Sequence, residues 1–558
     1  MTAQKILTAL DGHAAVRGDE PFLTLVKGGE TASYTFTDFR ENCLRFASSY
    51  EKAGIGGEGV VFIVLKHCAE LYFSFIGAMY TGVIPSFLPF PTPKQDATLY
   101  WSAHEELFHH VRPQAIISYA ENLPHIAKAC EGLDVRIIDV ADLDLGEVLA
   151  RGTPIQQDDH TAFLQHSSGT TGLKKGVMLS YGKVAAQIDS YSRAIGLTPA
   201  DTLVSWLPLY HDMGLISCMI TPITVGARLI SIDAFEWVSR PSSLLKAIED
   251  YRGNFVWLPN FAFNLIAQTR PRGTTFDLSS LKGLIGCSEP NKTETFDKFY
   301  QAFADCGLKR EALRTCYAMA ETVFAVAQST TDTVLKSVYV DRRALEEKKI
   351  VSFVSPEAEN AVAYLSNGPV IDGLTVRIKT DEGYETGKDS PRSGEIQIAG
   401  HFIFNGYYKN EAGTVLAMDG DYYSTGDIGF FADGELYVCG RTKEVLIVNG
   451  RNYYANDIED IVNGVANVKK GRNVAFAIFE ARTQSETAVV VAETDLTDPD
   501  ARRDLQAEIK NTVFSRLELT LQKVVLVEPG WLVKTTSGKI SRKENLGRYL
   551  EMAMLPKT

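Results

Sequence analysis

The chain has 558 residues, too many for one ordinary hydrophobic core, so two or more domains are expected. Hydrophobic residues make up 45% and charged residues 22%, the balance of a globular chain. The net charge of -13 argues against a nucleic-acid-binding surface, which needs a basic field, while leaving room for a local basic groove that holds a phosphate or a carrier protein.

Met1 to Glu20 contains no apolar core of signal-peptide length. Val60 to Leu65 reads as a buried strand, Cys68 to Thr81 as a helix and Ala115 to Ser118 as another strand. The uncharged run from Leu71 to Pro93 could span a bilayer by length, but Gly82, Pro85, Pro89, Pro91 and Pro93 break its second half. Met213 to Ala227 is too short to span. The eight cysteines (43, 68, 130, 218, 287, 306, 316 and 439) lack C-x-x-C spacing, so neither a zinc site nor a disulfide framework is expected. Scattered thiols and the absence of a leader give a cytoplasmic expectation.

Thr161 to His166 reads as a short strand and a helix begins after Ser180. Between them lies Ser167-Ser168-Gly169-Thr170-Thr171-Gly172-Leu173-Lys174-Lys175-Gly176, with three glycines, four hydroxyls and two lysines. Such a loop can wrap N–H groups, hydroxyls and ammonium groups around phosphate oxygens. It does not satisfy G-x-x-x-x-G-K-[ST], because Lys174 stands five residues after Gly169. Taken alone, it reads equally well as a solvated Ser/Gly turn.

Leu203 to Leu207, Ala227 to Ser231 and Phe255 to Leu258 continue the strand–helix rhythm, which favours an α/β fold with largely parallel sheets. From Gly394 the pattern changes to short strands between turns, Gly394 to Gly400 and Gly434 to Gly440, as in a small β-barrel-like unit. After Lys443 strands are expected at 444–448 and 475–479, and a helix over Arg502 to Leu517. A boundary near Lys443 leaves about 115 residues, enough for a small core of their own.

Further segments carry chemistry. They are Trp206-Leu207-Pro208-Leu209-Tyr210-His211-Asp212-Met213-Gly214-Leu215, Val256 to Asn264 with Pro259-Asn260-Phe261-Ala262, and Gly286-Cys287-Ser288-Glu289-Pro290. There follow Tyr317-Ala318-Met319-Ala320-Glu321-Thr322, Tyr423-Ser424-Thr425-Gly426-Asp427-Ile428-Gly429 and Gly440-Arg441-Thr442-Lys443-Glu444. Gly450 to Glu459 and Lys534-Thr535-Thr536-Ser537-Gly538-Lys539-Ile540-Ser541-Arg542 complete the set. Four of them have a plain structural reading: a packed histidine at 211, a core segment at 256–264, a turn aspartate at 427, an exposed basic tail at 534–542.

Together and in order, from Tyr34 to Lys539, these segments resemble the adenylate-forming superfamily of acyl-CoA synthetases, luciferases and peptide-synthetase adenylation domains, and within it the fatty acyl-AMP ligases. The resemblance implies an α/β fold. Residues 1–442 would form a large AMP-binding domain of two mixed or parallel sheets with helices and a small β-barrel-like subdomain. Residues 443–558 would form a smaller, mobile α+β domain carrying the catalytic lysine. It further implies that Ser167, Ser168, Gly169, Thr170, Thr171, Gly172 and Lys175 grip the β- and γ-phosphates of ATP. Ser288, Glu289 and Pro290 form the adenine-side turn. Tyr317, with Ala318, Met319 and Ala320, stacks on adenine. Asp427 holds the ribose hydroxyls, and Arg441 adds a ribose or phosphate contact. Glu321 binds Mg²⁺, which takes hard oxygen ligands. Lys539 is the catalytic lysine, with Glu321 and His211 beside it in the reacting centre, and Lys443 is the hinge. His211, Asp212, Met213, Gly214, Asn260, Phe261 and Phe263 would line the acid pocket.

Several residues depart from the family's pattern. Lys174 stands where Pro is usual, Cys287 and Ser288 replace Gly and Ala, and Val533 replaces Pro. Asn264 replaces Asp, Ala455 and Asn456 replace Pro and Gln, and Ala318 replaces a Gly and tightens its turn. Ala320 follows the fatty acyl-AMP ligases, as does the stretch 340–368, which resembles their extra segment in place and in its opening residues. The implied activity is activation of a fatty acid with ATP to an acyl-adenylate and pyrophosphate, then passage of the acyl group to the phosphopantetheine thiol of an acyl carrier protein. No Asp-Ser-Leu-type attachment motif appears, so the carrier is expected in trans. Transfer to coenzyme A, as in an acyl-CoA ligase, is the alternative. A non-catalytic binding homologue is disfavoured by retention of Lys539, Glu321, Asp427 and the 167–176 loop.

Overall fold

A computed structural model describes residues 5–91, 97–149, 156–166, 175–448, 451–480, 485–517, 519–535 and 539–554. Among these, the largest sheet has eight strands. In spatial order they are Ala325–Gln328, Leu313–Ala318, Gly283–Gly286, Phe255–Leu258, Thr202–Ser205, Arg228–Ile232, Pro21–Lys27 and Glu30–Thr35. Neighbours run parallel except at the two ends, where 313–318 meets 325–328 and 21–27 meets 30–35 antiparallel. A second sheet is wholly parallel: Ile84–Phe87, Val60–Ile63, Ala115–Ser118 and Arg136–Asp139. Parallel strands need helical crossovers, and these cover the sheet faces, so the strands are apolar almost throughout. Val60–Ile63, Ala115–Ser118 and Phe255–Leu258 are buried at every residue.

The apolar run after Cys68 divides as its prolines suggest. Ala69–Tyr80 is a helix buried on nearly every side, Gly82 takes φ 79°, and Ile84–Phe87 begins a strand. No helix among the described residues is long and apolar enough to cross a membrane. All eight cysteines are free thiols.

From 374 to 441 the sheet is antiparallel: Gly383–Glu385, Leu374–Thr380, Gly394–Gly400, Tyr422–Ala432 and Met418–Asp419, with Glu435–Arg441 also paired to Tyr422–Ala432. Its inner side chains, including Ile378, Ile396 and Leu436, join the main core. Beyond it stand a hairpin, Val445–Val448 with Arg451–Tyr454, the helix Ala455–Asn463 and a mixed sheet of Asn473–Glu480, Ser485–Glu493 and Leu521–Val527. The helix Pro499–Leu517 covers that sheet. Leu446, Ile458, Val462, Val490, Leu505, Ile509 and Leu526 form a separate core there.

The stretch expected as an extra segment is a strand pair, Ser337–Asp341 with Ala361–Leu365, enclosing the helix Arg342–Lys348. Asp341 caps that helix by accepting from the Ala344 N–H at 2.7 Å. Val340, Leu345 and Tyr364 pack with Phe430, Tyr437 and Tyr454, so the segment touches both the antiparallel sheet and the hairpin after 443.

Candidate active site

Three side-chain clusters occupy the ends of strands and the turns that follow them. The first centres on Asp427, which lies opposite Arg441 across an antiparallel strand pair. Its carboxylate accepts from the Tyr317 hydroxyl at 2.6 Å on one oxygen and from Arg441 Nε at 2.6 Å on the other. Asp427 is 5% exposed. Burial and the neighbouring carboxylate hold the Tyr317 phenol well above its ordinary range, so it remains a donor. The Asp427 charge likewise raises Arg441.

The second cluster lies one turn past Tyr317. Glu321 Oε1 accepts from the Tyr407 hydroxyl at 2.8 Å, and the Tyr407 ring lies 4.3 Å from Lys175 Nζ. One aromatic side chain therefore joins the carboxylate to the last lysine of the glycine-rich loop. Burial, and Glu321 beside it, raise the Tyr407 phenol. Ser167, Ser168, Gly169, Thr170, Thr171 and Gly172 fall outside the described residues.

The third cluster gathers around Ser288. This residue takes φ 69°, a left-handed conformation directly after the strand Gly283–Gly286 and Cys287. Its carbonyl accepts from Lys539 Nζ at 2.6 Å, and its hydroxyl faces Met213 Sδ at 3.8 Å. Beside this lysine the Thr535 N–H bonds Lys539 O, and Lys534 and Ile540 pair as an antiparallel bridge. His211 Nδ1 lies 3.8 Å from Asp212 Oδ1. Burial alone would raise the Asp212 carboxyl. The His211 ring, the Met213 N–H and the Lys539 ammonium outweigh it and hold it below its ordinary value.

Met213–Ile220 winds as a buried π-helix. Gly214 is required there: a Cβ would stand 2.2 Å from the Pro208 carbonyl oxygen. Glu289 accepts from the Phe261 N–H at 3.1 Å, fastening the turn to the helix Asn260–Gln268, and Pro290 is exposed. Phe261 stands edge-on, at 6.3 Å, to both Trp206 and Trp237, which stack at 3.6 Å with planes 4° apart. Asn260 Oδ1 is buried without a hydrogen-bond partner among the described residues. Phe263, expected with Phe261 at the pocket, instead packs into the core against Phe296 at 4.8 Å and Phe299 at 5.2 Å. The helix places 261 and 263 on different faces.

Ala318 keeps negative φ, so its replacement of glycine costs nothing at that position. The left-handed residue of this turn is Val323, at φ 65°. Met319 and Ala320 lie in the turn between Tyr317 and Glu321, where the Met319 N–H bonds Phe324 O. The backbone of Lys443 belongs to the single turn Thr442–Glu444. Tyr407 and Trp237 were not legible as site residues, since neither lies in a recognisable motif.

An α/β scaffold with these clusters at its strand ends, and a lysine from a separate C-terminal core reaching the Ser288 turn, defines an adenylate-forming enzyme. The chain belongs to the AMP-binding enzyme family, whose model matches residues 10–408. Residues 443–557 match the AMP domain of Disco-interacting protein 2-like proteins. The long-chain-fatty-acid–AMP ligase FadD26 of Mycobacterium tuberculosis is 27% identical, covering 93% of this chain and 94% of its own. The medium-chain-fatty-acid–[acyl-carrier-protein] ligase JamA of Moorena producens is 30% identical over 71% of this chain and 69% of its own. Among solved structures, one of the fatty acyl-adenylate ligases studied from E. coli and L. pneumophila superposes with a TM-score of 0.89, at 24% identity and 99% coverage of both chains. The fatty acid AMP ligase of Legionella pneumophila gives 0.75 at 26% identity, covering 99% of this chain and 97% of that one.

Proposed function

We propose that the protein is a fatty acyl-AMP ligase that activates a fatty acid with ATP and passes the acyl group to the phosphopantetheine thiol of a separate acyl carrier protein. The observation that carries this reading is the Lys539–Ser288 contact, which sets an ammonium near Asp212 and on the turn that Glu289 fastens to Phe261.

In the first step a carboxylate oxygen attacks the α-phosphorus of ATP. A carboxylate–phosphorus bond forms, the bond to the bridging oxygen breaks, and pyrophosphate leaves with the electron pair. Two anions must approach, so positive charge fixed in advance lowers the barrier without a protein nucleophile. Lys539 bridges the carboxylate and the α-phosphate. Lys175 and the loop before it hold the departing pyrophosphate. Tyr317 and the Ser288–Pro290 turn take the adenine, Asp427 the ribose hydroxyls, and Arg441 the ribose or a phosphate. His211, Asp212, Met213, Gly214 and Asn260 border the carboxylate, and Phe261, with Trp206 and Trp237, lines the start of the acyl channel.

Glu321 would hold Mg²⁺. Its carboxylate, oriented by the Tyr407 hydroxyl at 2.8 Å, would supply the hard oxygen that such an ion takes. When bound, the ion would spread charge on the leaving pyrophosphate.

In the second step the thiol sulfur attacks the acyl carbon, a thioester forms and AMP leaves. Residues 1–442 and 443–558 act as two bodies with Lys443 as the hinge between them. The 337–365 segment, which packs with Tyr454 just beyond the hinge, supports the carrier as acceptor because it stands where the fatty acyl-AMP ligases carry an extra segment that coenzyme A ligases lack. Eight free thiols fit a reducing compartment such as the cytoplasm.

The test is incubation with ATP, Mg²⁺ and a panel of fatty acids, followed by coenzyme A or phosphopantetheinylated carrier protein. Acyl-AMP that is consumed by the carrier protein and little by coenzyme A is the expected result. Efficient acyl-CoA formation overturns the choice of acceptor, and no acyl-AMP with any acid overturns the activity.

A further inference from the structure

Lys539 is not the only side chain that joins the C-terminal core to the adenine-side turn. Lys292 stands at the far end of the same turn, as the residue before the helix Thr293–Phe303, with its carbonyl accepting from the Thr295 and Phe296 N–H groups. Asn291 braces the segment by donating to Gly286 O at 3.0 Å. The Lys292 ammonium meets Asp460 on the helix Ala455–Asn463, and burial lowers it while the acids Asp457 and Glu459 of the same helix, with Glu294, hold it up. Asp457, one turn earlier on that helix, is pushed up by burial and drawn back by Lys292 and by Arg342 of the 337–365 segment. On the same helix Glu459 accepts from Arg542 at 2.8 Å, and Arg542 also pairs with Glu444 at 2.7 Å, beside Lys443. Arg542 follows Lys539 by three residues, so the helix that Lys292 grips is tied directly to the segment presenting the catalytic lysine.

We propose that Lys292 is a positioning residue for adenylation: by pairing with Asp460 it fixes the C-terminal domain on the Ser288 turn so that Lys539 enters the site. This rests on the proposed activity. Lys292 does not touch the reacting atoms and acts through Lys539.

The test uses the full chain and pyrophosphate exchange with a fatty acid. Lys292→Gln is expected to lower the turnover of acyl-AMP formation about three- to fivefold, the range of a partly exposed ion pair, with little change in KM for ATP. Lys292→Arg should retain activity. Lys292→Asp combined with Asp460→Lys should recover what each single reversal loses. In a Lys539→Ala background, Lys292→Gln should add no further loss to the residual rate. Hydrogen exchange without nucleotide should quicken in residues 455–463 and 286–292 of Lys292→Gln. Equal losses in both backgrounds, or exchange unchanged in those segments, would overturn the proposal. If the wild-type protein forms no acyl-AMP, the activity falls, while the exchange measurement still decides whether Lys292 holds the domain.

Discussion

Lys539 Nζ donates to the Ser288 carbonyl at 2.6 Å although the two residues are 251 positions apart. A lysine from beyond residue 443 thus reaches the turn that follows the strand Gly283–Gly286. Lys539→Ala is expected to lower acyl-AMP formation by about two to three orders of magnitude, by analogy with removal of one preorganised charge contact. Thermal unfolding should be unchanged. Normal pyrophosphate exchange by this variant would remove Lys539 from the mechanism.

Tyr407 serves two partners, and they can be separated. Tyr407→Phe keeps the ring under Lys175 but removes the donor to Glu321. It should raise the Mg²⁺ concentration for half-maximal activity by about tenfold, as loss of an orienting partner does. Tyr407→Leu removes both contacts and should raise KM for ATP by a further two- to fivefold, roughly the worth of a cation–π contact. Identical Mg²⁺ titrations for wild type and Tyr407→Phe would count against Glu321 as the ligand.

Asp427 accepts from Tyr317 and Arg441 at once, one bond on each oxygen, and an amide keeps only one acceptor oxygen and loses the charge that Arg441 meets. Asp427→Asn should raise KM for ATP about tenfold to a hundredfold and cost about 1–3 kcal/mol of stability. Tyr317→Phe removes one of those bonds and should cost about 0.5–1.5 kcal/mol. Both follow from nucleotide titration and denaturant unfolding.

Gly214→Ala forces a methyl to within 2.2 Å of the Pro208 carbonyl. The buried π-helix must shift to admit it, at a cost of about 1–3 kcal/mol. A lowered midpoint in urea, with reduced turnover, is the expected outcome. An unaltered midpoint would show that this backbone gives way freely.

Two histidines set an acid limit. Burial, the largest influence on each, lowers His13, which bonds Thr224 O at 3.2 Å, and lowers His67. In the unfolded chain both take a proton near the ordinary value of 6.5, while in the folded chain they resist it. Unfolding therefore takes up protons as the pH falls below that point. The stability present above it declines through each folded-state value. The melting temperature should fall between pH 7 and pH 5, and His13→Gln with His67→Gln should flatten that fall. An equal slope in the double variant would place the acid sensitivity elsewhere.

Much of the scaffold was legible because its signals are local. Ala115–Ser118, Phe255–Leu258, Thr161–His166 and Gly394–Gly400 are continuous apolar or alternating runs bounded by turn residues, and they fold as read. Elsewhere the boundaries moved by a few residues, as where the helix read from Arg502 begins at Pro499. The Ser167–Lys174 part of the glycine-rich loop lies outside the described residues.

The order of motifs by itself determined the family and the α/β class and singled out Lys539, Glu321, Asp427 and Tyr317 as candidates, because each motif is a short stretch whose chemistry is written in neighbouring residues. Only the tertiary structure decided what those residues touch. Tyr407 reaches Glu321 across 86 positions, and Tyr317 meets Asp427 across 110. Phe263 turns into the core while Phe261 faces the paired indoles, and Lys292 finds Asp460 on the second core. Such contacts depend on how sheets and domains pack, and side-chain packing couples residues that carry no mutual signal along the chain.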